Sequence, residues 1–479
     1  MKRNFIHYTG IILLLASCLS SPSQDHKATA SEDSAIDSPN FIIILVDDMG
    51  YADVGFNGCK DIPTPNIDRI AKNGVVFTEG YVTYAVCGPS RAGLITGRYQ
   101  DRFGFGRNPL LAPKDASMGL PLSEKTIADA VKPIGYTSKI IGKWHLGAHE
   151  SLHPLKRGFD EFYGFLSGGH RYFPEEWTLQ DLSEARSQWD GYRTKLMDNY
   201  TRVDEKEYLT DALSREAVDF IERKANTPFF LYLAYNAPHA PLQATETYLE
   251  RFPNITNPKR KTYAAMVSAV DDGVGRVLDA LEQSNITENT MVVFLSDNGG
   301  PEQNNGSDNG ILRGGKGDYY EGGIRVPFAM QWPGKIPAGT TFEHPVISLD
   351  IFATIADIVG YVASKEHALD GVNLLPYLGG ENHGIPHEYL FWRNFDAQKF
   401  AARSIDYKLW KSKKSNELYH IKSDIGEQDN VLKANQNIYE SMEKATKEWE
   451  GQMMDPVFLG LLQGQEYEAE NPSRWVDRE

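Results

Sequence analysis

The sequence predicts an α/β protein in which helices flank a large, mixed and mostly parallel sheet. A smaller C-terminal α+β domain with a short antiparallel sheet is expected to follow. Three observations support this fold class. From residue 41 onward, apolar β-branched runs alternate with helical patterns. Residues 41–46 are continuously apolar, which is typical of a central strand covered on both faces. Past residue 374 the pattern changes to short strand-like pieces.

The individual elements follow from local patterns. Four apolar runs predict strands of the large sheet at 41–46, 136–141, 228–235 and 291–295. Periodic apolar positions predict helices at 65–72, 208–223 and 262–283. The C-terminal part is expected to hold strands at 387–392, 400–404 and 407–410, then a polar helix at 437–450. These patterns predict a large domain over 40–380 and a C-terminal subdomain over 381–479.

The first residues indicate export. Lys2 and Arg3 precede an apolar run that is too short to cross a bilayer as a helix of about 20 residues. The sequence Leu15-Ala16-Ser17-Cys18 resembles a bacterial lipoprotein processing box, which implies a signal peptide over 1–17, lipidation of Cys18 and a flexible tether over 18–39. The expected location is the periplasm or the outer membrane, with membrane contact only through the lipid anchor. A plain secretory signal is the alternative.

Charge and cysteine usage exclude some classes of function. The chain has 49 Lys and Arg against 65 Asp and Glu, a net charge of −16. Nucleic-acid binding depends on basic side chains that neutralise phosphates, so we expect no such partner. Three cysteines give no disulfide framework. A pairing of Cys59 with Cys87 stays open and would consume the Cys87 thiol.

Acidic and amide side chains follow two of the predicted strands. Asp47 and Asp48 come after the first strand, and Asp297 and Asn298 after the fourth. In open α/β sheets ligands bind beyond the carboxyl ends of the strands, so these side chains are expected to converge. Carboxylate and amide oxygens suit a hard cation, and a divalent ion relieves the repulsion among the carboxylates. We therefore predict a site for one hard divalent cation per chain, such as Ca²⁺ or Mg²⁺.

Basic side chains follow the other strands. Lys143 and His145 lie two residues apart after the second strand and point to the same side if the chain is extended. His239 follows the third strand between two prolines. Lys316 lies in a Gly-rich loop that allows close approach to an anion but lacks the ending of a nucleotide P-loop. Together they predict a cationic pocket, which an acidic protein needs in order to handle an anion.

One metal-binding pattern is set aside. Residues 149–153 satisfy the zinc-protease pattern His-Glu-x-x-His, which requires both imidazoles on one face of a helix. Gly147 precedes the pattern, Pro154 follows it directly, and no amphipathic helix surrounds it. We expect no zinc site here.

The strongest motif lies at the predicted start of a short helix. The run Cys87-Gly88-Pro89-Ser90-Arg91 is followed by Thr96-Gly97-Arg98. Pro89 suits the first helical position, so Cys87 is expected beside free backbone N–H groups that attract an anion. This motif resembles the signature of the formylglycine-dependent sulfatases, of the arylsulfatase and N-acetylgalactosamine-6-sulfatase type. The resemblance extends from about residue 40 to 430, and the usual proline of the late segment is replaced by Ile425.

The resemblance implies a fold, a reaction and roles for single residues. The fold is the alkaline-phosphatase-like sandwich, and the reaction is hydrolysis of sulfate esters in polysaccharide degradation. Cys87 becomes formylglycine (3-oxoalanine). It is a further ligand of the Ca²⁺ ion that the resemblance assigns to Asp47, Asp48, Asp297 and Asn298. The hydrated aldehyde is a diol, which Arg91 and Lys143 hold in place. Lys143 and Lys316 bind the sulfate group. His239 is the implied general acid and His145 the implied general base. A formylglycine-generating or anaerobic sulfatase-maturating enzyme is an implied partner.

The substrate is less defined than the reaction. A sulfated carbohydrate from host glycosaminoglycan or algal polysaccharide is expected, and His170, Arg171 and Arg393 are candidate contacts to its sugar or to a carboxylate. Two other functions stay open. One is a phosphomonoesterase or phosphodiesterase of the same superfamily with unmodified Cys87, and the other is an inactive glycan-binding lipoprotein.

Overall fold

The strands of the large sheet are built from the apolar runs of the sequence. The computed structural model describes residues 38–472 and 475. The expected signal peptide, Cys18 and nearly all of the tether lie outside these residues. The strands up to residue 347, in chain order, are β1 (Asn40–Val46), β2 (Val75–Phe77), β3 (Gly80–Tyr81), β4 (Thr137–Lys143), β5 (Glu161–Phe165), β6 (Leu196–Asp198), β7 (Thr201–Val203), β8 (Phe229–Ala234), β9 (Thr290–Ser296), β10 (Phe328–Gln331), β11 (Thr340–Phe342) and β12 (Val346–Ile347). Of these, β3 and β12 pair in a separate two-stranded parallel sheet.

The large sheet is mixed, with a parallel centre. Across the described part of the chain it has ten strands in the order β11-β2-β10-β9-β1-β8-β4-β5-β6-β7. The five central strands, from β9 to β5, run parallel, and β10 and β6 join them antiparallel on either side. The predicted fold class is confirmed. The edge strands are too short for their apolar pattern to have been distinguished from loops.

Helices cover both faces of the sheet. They are α1 (Pro65–Lys72), α2 (Cys87–Thr96), α3 (Ile127–Val131), α4 (Leu209–Lys224), α5 (Glu246–Leu249), α6 (Pro258–Gln283), α7 (Glu302–Asn305), α8 (Glu321–Ile324), α9 (Leu349–Val359), α10 (Leu375–Leu378), α11 (Gln436–Glu450) and α12 (Gly464–Glu470). Within residues 38–472, no helix combines the length and the apolar composition that crossing a bilayer requires.

Successive residues of β1 point into two separate cores. Ile43 packs in a core that includes residues of α2 and α9, whereas Ile44 packs in one that includes residues of α1, α4 and α6. This alternation explains why the run has no polar residue, because neither face meets water. The long helix α6 begins four residues before its predicted start, since the Asn257 side chain accepts hydrogen bonds from Lys259 N and Arg260 N and caps it there.

The C-terminal part forms a second, antiparallel sheet of four strands within the described residues. They are β13 (Leu390–Asn394), β14 (Lys399–Arg403), β15 (Tyr407–Lys411) and β16 (Asn416–His420). The first three match the predicted pieces, and α11 matches the predicted helix to one residue. The strand β16 was not predicted. The boundary at residue 380 stays a prediction.

After α11 the chain returns to the large sheet. Met454 N donates to Asp101 O at 2.8 Å, and Leu461 N donates to Asn108 O at 2.9 Å. Residues 454–461, called the strap below, therefore lie beside the segment that follows α2. This return is a tertiary contact between distant residues, which no local pattern in the sequence indicates.

Candidate active site

The acidic residues predicted at two strand ends meet at one edge of the sheet. Asp47 and Asp48 follow β1, and Asp297 and Asn298 follow β9. The two strands are parallel neighbours, and their final residues pair with each other. Asp47 and Asp297, the residues that come next, therefore lie side by side at the edge of the sheet. Asp48 has a φ of 65°, a left-handed conformation that aspartate tolerates better than most residues.

Three carboxylates and a thiol form one buried group. The ligand atoms of Asp47, Asp48, Asp297 and Cys87 all lie within 4.8 Å of one another. All four residues are buried. Burial and the neighbouring Asp47 charge raise the pKa of Asp297 to about 6, in spite of the nearby Arg91. Such a group can hold a divalent metal ion.

Asn298 adds an oxygen beside this group. Its Nδ2 donates to Asp48 Oδ1 at 2.7 Å. Its buried Oδ1 has no hydrogen-bond partner among the described residues. A buried polar atom without a partner costs free energy, and a cation would satisfy it. The donor set of carboxylate and amide oxygens fits a hard cation.

Two buried cations lie against the carboxylates from one side. Arg91 Nη2 is 3.3 Å from Asp47 Oδ2 and 2.9 Å from Asp297 Oδ2, and none of these side chains is exposed. The Lys143 ammonium bonds to Asp47 Oδ2. Arg91 also donates from Nη1 to the Lys143 carbonyl at 3.1 Å, which fixes the end of β4 against α2.

Lys316 approaches from another side. Its Nζ lies 2.7 Å from Asp48 Oδ1 and 3.4 Å from Cys87 Sγ. Burial opposes ionisation of Asp48, but the charges of Lys316 and His239 lower the pKa of Asp48 to about 2. The structure therefore brings together the cationic side chains predicted from separate strand ends.

Cys87 is the first residue of α2, which begins two residues before the predicted start at Pro89. Gly88 N donates to Asn108 Oδ1 at 2.8 Å, and Cys87 Sγ lies 3.4 Å from Asp47 Oδ1. Burial and the Asp47 charge raise the pKa of the Cys87 thiol well above its usual range. Cys59 and Cys87 are both free thiols in the structure, so the alternative pairing is not found.

The two predicted imidazoles lie in different surroundings, and a ring nitrogen of His239 is within 4.8 Å of Cys87 Sγ. His239 Nε2 lies 3.6 Å from Asp48 Oδ2, and burial lowers the pKa of His239 to about 3. Burial and the Lys143 charge lower the pKa of His145 well below its usual value. His145 has a φ of 56°, so the chain is not extended at this residue, which was the condition for Lys143 and His145 to point to the same side. The left-handed residue turns the chain immediately after the strand.

The structure also places the His-Glu-x-x-His residues. Glu150–Leu152 forms a 3-10 turn, not part of an α-helix. The His149 ring accepts from Ser151 N, and the His153 ring accepts from Leu155 N. Both histidines therefore act as local caps.

The three candidate substrate contacts have different surroundings. His170 is fully buried, and its two ring nitrogens lie against the carbonyls of Arg171 and Thr194, both at 2.8 Å. Burial lowers the pKa of His170 to about 4, so the ring is neutral and donates from one nitrogen only. Because the ring is fully buried, it does not support the expected substrate contact. Arg393 is also buried and bonds to Met454 O and Asp455 in the strap. Arg171 is 41% exposed and pairs with Glu176.

Sequence reasoning missed several residues that shape the site. Asn108 holds the first turn of α2 through Gly88. Gly168 makes room for the catalytic-site imidazole, because a Cβ there would lie 2.6 Å from His145 Nε2. Asn305 Nδ2 donates to the Asp48 carbonyl at 3.0 Å and supports its left-handed conformation. Each residue acts through a contact with a distant part of the chain, so the local sequence gives no signal for it.

Comparisons with known proteins agree with this geometry. The family model described as Sulfatase matches residues 39–361, and the model described as N-sulphoglucosamine sulphohydrolase, C-terminal, matches residues 316–452. Human N-acetylgalactosamine-6-sulfatase is 37% identical over 357 residues, which cover 71% of this chain and 66% of that protein. The chain therefore spans about two thirds of the length of this relative.

Comparison with solved structures also shows proteins of similar sequence and fold. Ps i-CgsB in complex with k-i-k-neocarrahexaose is 42% identical, with a TM-score of 0.84, and the match covers 91% of this chain and 98% of that chain. The phosphonate monoester hydrolase of Agrobacterium radiobacter, at 21% identity and a TM-score of 0.62 over 86% of this chain and 95% of that one, shares the fold alone. The fold is the alkaline-phosphatase-like one that the motif implied. The chain belongs to the sulfatase family of sulfuric ester hydrolases.

Proposed function

We propose that this protein hydrolyses sulfate esters of carbohydrates and that Cys87, oxidised to formylglycine, carries the nucleophile. The position of Cys87 carries this proposal. Its Sγ lies 3.4 Å from both Asp47 Oδ1 and Lys316 Nζ, at the first turn of a buried helix. A buried, protonated thiol among carboxylates is a poor nucleophile, which favours a modified side chain. The surrounding cations suit the negative charge of a sulfate group.

The proposed reaction uses the hydrated aldehyde, a geminal diol. One hydroxyl first releases its proton to water, which the cations Arg91 and Lys143 favour, and its oxygen then attacks sulfur. The bond from sulfur to the substrate oxygen breaks, and the departing alcohol takes a proton from His239, with Lys316 beside it. The second hydroxyl then gives its proton to His145, the aldehyde forms again and inorganic sulfate leaves. Water restores the diol. Arg91 and Lys143 hold the diol in place.

The protonation of His239 needs the substrate. Burial keeps the pKa of this imidazole at about 3 in the free site, so it is neutral at pH 7. A sulfate group bound nearby brings negative charge, which favours the imidazolium form. His145 is neutral as well, and its unpartnered Nδ1 leaves it able to accept a proton.

We assign the metal to the four oxygen-bearing side chains at the strand ends, Asp47, Asp48, Asp297 and Asn298. The unpartnered Asn298 Oδ1 and the raised pKa of Asp297 support this assignment. Ca²⁺ is proposed over Mg²⁺ because it accepts more oxygen ligands in less regular geometry. When bound, the cation neutralises negative charge on the group under attack.

The proposed substrate is a sulfated glycan oligosaccharide. Ps i-CgsB binds k-i-k-neocarrahexaose, and the mammalian relatives are named for a sulfated amino sugar. Arg171 stays a candidate contact to such a substrate, since its side chain is 41% exposed.

The chain organisation belongs to the same proposal. We propose a signal peptide over 1–17, a lipid on Cys18, a tether over 18–39, and a catalytic domain over 40–380 followed by a C-terminal subdomain. The protein is then exported to the periplasm or the outer membrane. It also needs a formylglycine-generating or anaerobic sulfatase-maturating enzyme to oxidise Cys87.

Peptide mass spectrometry on the protein from its native host tests the proposal first, by showing whether position 87 carries an aldehyde. Sulfate release from k-i-k-neocarrahexaose and from N-acetylgalactosamine 6-sulfate is then compared between the matured protein and Cys87→Ala. Cys59→Ala is the matched control, because this thiol lies outside the buried carboxylate group and donates to Asp61 Oδ1 at 3.3 Å. Loss in Cys87→Ala alone is expected. An unmodified Cys87 with phosphate-ester cleavage, or glycan binding without cleavage, would establish one of the alternative functions instead.

A further inference from the structure

Two aromatic side chains beside the site have no part in the reaction described above. Trp189 and Tyr192 belong to the 3-10 turn Gln188–Arg193. Trp189 is 60% exposed. Its ring meets the Tyr192 ring nearly at a right angle, with centroids 5.7 Å apart and planes at 82°. The two rings form a pair of walls, called the aromatic corner below. Exposed aromatic rings beside a polar cleft are typical of ligand-binding surfaces.

The aromatic corner lies next to the reacting residues. A Cβ on Gly169 would lie 2.7 Å from the Tyr192 hydroxyl, and a Cβ on Gly168 would lie 2.6 Å from His145 Nε2. Two consecutive residues therefore touch the tyrosine and the imidazole. In addition, burial and the charges of Cys87 and Asp47 raise the pKa of Tyr192, so the phenol lies within electrostatic reach of the thiol.

The turn that carries the aromatic corner is fixed by hydrogen bonds on both sides. Asp190 Oδ2 accepts from Ser187 N at 3.0 Å in a capping box. Gln188 Oε1 accepts from Leu111 N at 2.7 Å, and Tyr192 O accepts from Arg171 N at 3.0 Å. The rings are therefore held in place before a ligand arrives, which lowers the entropic cost of binding.

We propose that the aromatic corner binds the sugar rings of an oligosaccharide, with Tyr192 against the sulfated ring and Trp189 against the next ring outward. This inference rests on the proposed function and extends it to substrates of more than one sugar. Within residues 38–472 the Tyr192 hydroxyl has no hydrogen-bond partner, so it is available to a sugar hydroxyl. Tyr192 is half-buried and Trp189 is exposed, which sets the order of the rings from the nucleophile outward.

The chemistry of the two partners is complementary. A pyranose ring presents C–H groups on its face and hydroxyls around its rim. The face of an aromatic ring offers a flat apolar surface, and the phenol adds a polar group at its edge. Trp189 has no other ring contact than Tyr192 among the described residues, so its outer face is open. An exposed tryptophan could also bind a protein partner. The test must therefore distinguish oligosaccharide binding from protein binding at Trp189.

The test compares two substrates on the matured full-length chain. They are k-i-k-neocarrahexaose and the small aryl ester 4-nitrophenyl sulfate, which has no second ring to reach Trp189. In Trp189→Ala we expect the ratio of kcat/KM for the oligosaccharide to kcat/KM for the aryl ester to fall roughly 5- to 10-fold, mainly through KM. Tyr200→Ala removes another exposed aromatic side chain, 57% exposed, and serves as the control. An unchanged ratio in Trp189→Ala overturns the proposal.

A binding measurement separates this inference from the proposed function. In the Cys87→Ala background, calorimetry with k-i-k-neocarrahexaose and with a chondroitin 6-sulfate tetrasaccharide measures affinity without turnover. Weaker binding in Trp189→Ala and in Tyr192→Phe supports the aromatic corner, even if the matured protein cleaves no sulfate ester. Equal binding in both variants, or no binding of either oligosaccharide to the parent protein, overturns it and identifies Trp189 as a surface for another partner.

Discussion

Arg91 Nη2 lies 2.9 Å from Asp297 Oδ2, and neither side chain is exposed to solvent. The same nitrogen is 3.3 Å from Asp47 Oδ2, so one guanidinium compensates two buried carboxylates. Removing one partner of a buried ion pair leaves an uncompensated charge, which is strongly destabilising.

We therefore expect Arg91→Met to lower the free energy of unfolding by about 3 to 5 kcal/mol in the presence of a calcium chelator. Arg91→Lys keeps the charge but not the bidentate geometry, so its loss is expected to be smaller. Urea denaturation measures both. A loss below about 1 kcal/mol in Arg91→Met would show that the carboxylates are protonated or solvated without Arg91.

Calcium is expected to stabilise the folded protein. Binding to the folded state alone adds about 2.7 kcal/mol at a calcium concentration of 100 times Kd. The shift in thermal midpoint on adding calcium is expected to disappear in Asn298→Ala and to persist in Asp204→Asn, whose carboxylate is 69% exposed. An equal shift in both variants would place the ion elsewhere.

Gly168→Ala is expected to reduce turnover with little change in stability. The new Cβ would come within 2.6 Å of His145 Nε2, so the imidazole must move from its present position. Gly384→Ala, in an exposed loop, is the matched control. Steady-state kinetics with a sulfate ester check the variant, and unchanged kcat would argue against His145 as the base.

Lys408 is expected to be a main stabiliser of the contact between the two sheets. Its Nζ lies 2.9 Å from Glu321 Oε1 and 3.0 Å from Glu427 Oε1, with all three side chains fully buried. Lys408→Met removes the cation that the two carboxyl groups share, whereas Glu321 Oε2 keeps Arg325 Nη1 at 3.2 Å, so the expected cost in urea denaturation is about 3 kcal/mol. The double variant Lys408→Met, Glu427→Gln removes one of those charges and should recover part of the loss. No recovery would mean that packing, not charge, dominates.

Stability is expected to fall with rising pH because of His387. Its Nε2 lies 2.9 Å from Asp350 Oδ1; burial disfavours the charged imidazole, but the Asp350 carboxylate raises the pKa of His387 above its usual value. The contribution is therefore complete below an unfolded pKa of about 6.5 and is lost as pH rises through the higher folded value. In His387→Gln the fall in unfolding free energy over this range should be smaller. The exposed His383→Gln variant should keep the slope of the parent.

The sequence was sufficient for the central strands and for the convergence of the site. Continuous apolar runs mark β1, β8 and β9, and β4 was predicted as well, whereas the central strand β5 was not. Parallel neighbours place their carboxyl ends at one edge, so Asp47 and Asp297 had to meet. Long helices were predicted closely for a similar reason, since apolar periodicity reports their buried face.

The features that were not predicted depend on contacts between distant residues. The start of α2 at Cys87 is held by Asn108, and the left-handed His145 fits only because Gly168 lacks a side chain. His170 was a candidate contact because it is polar and follows two glycines, yet its ring is fully buried with Nε2 2.8 Å from the distant Thr194 carbonyl. None of these pairings has a local sequence signal.

The strap is synthesised long after the residues that it contacts beside α2. Leu461 bonds to Asn108, which in turn holds Gly88 beside the nucleophile. The ribosome makes residue 461 long after residue 87, with a delay on the order of tens of seconds. Until then, the wall of the cleft on this side is incomplete. In the proposed function, this delay is the interval in which a maturation enzyme would reach position 87, before residues 454–461 fold against the segment that follows α2.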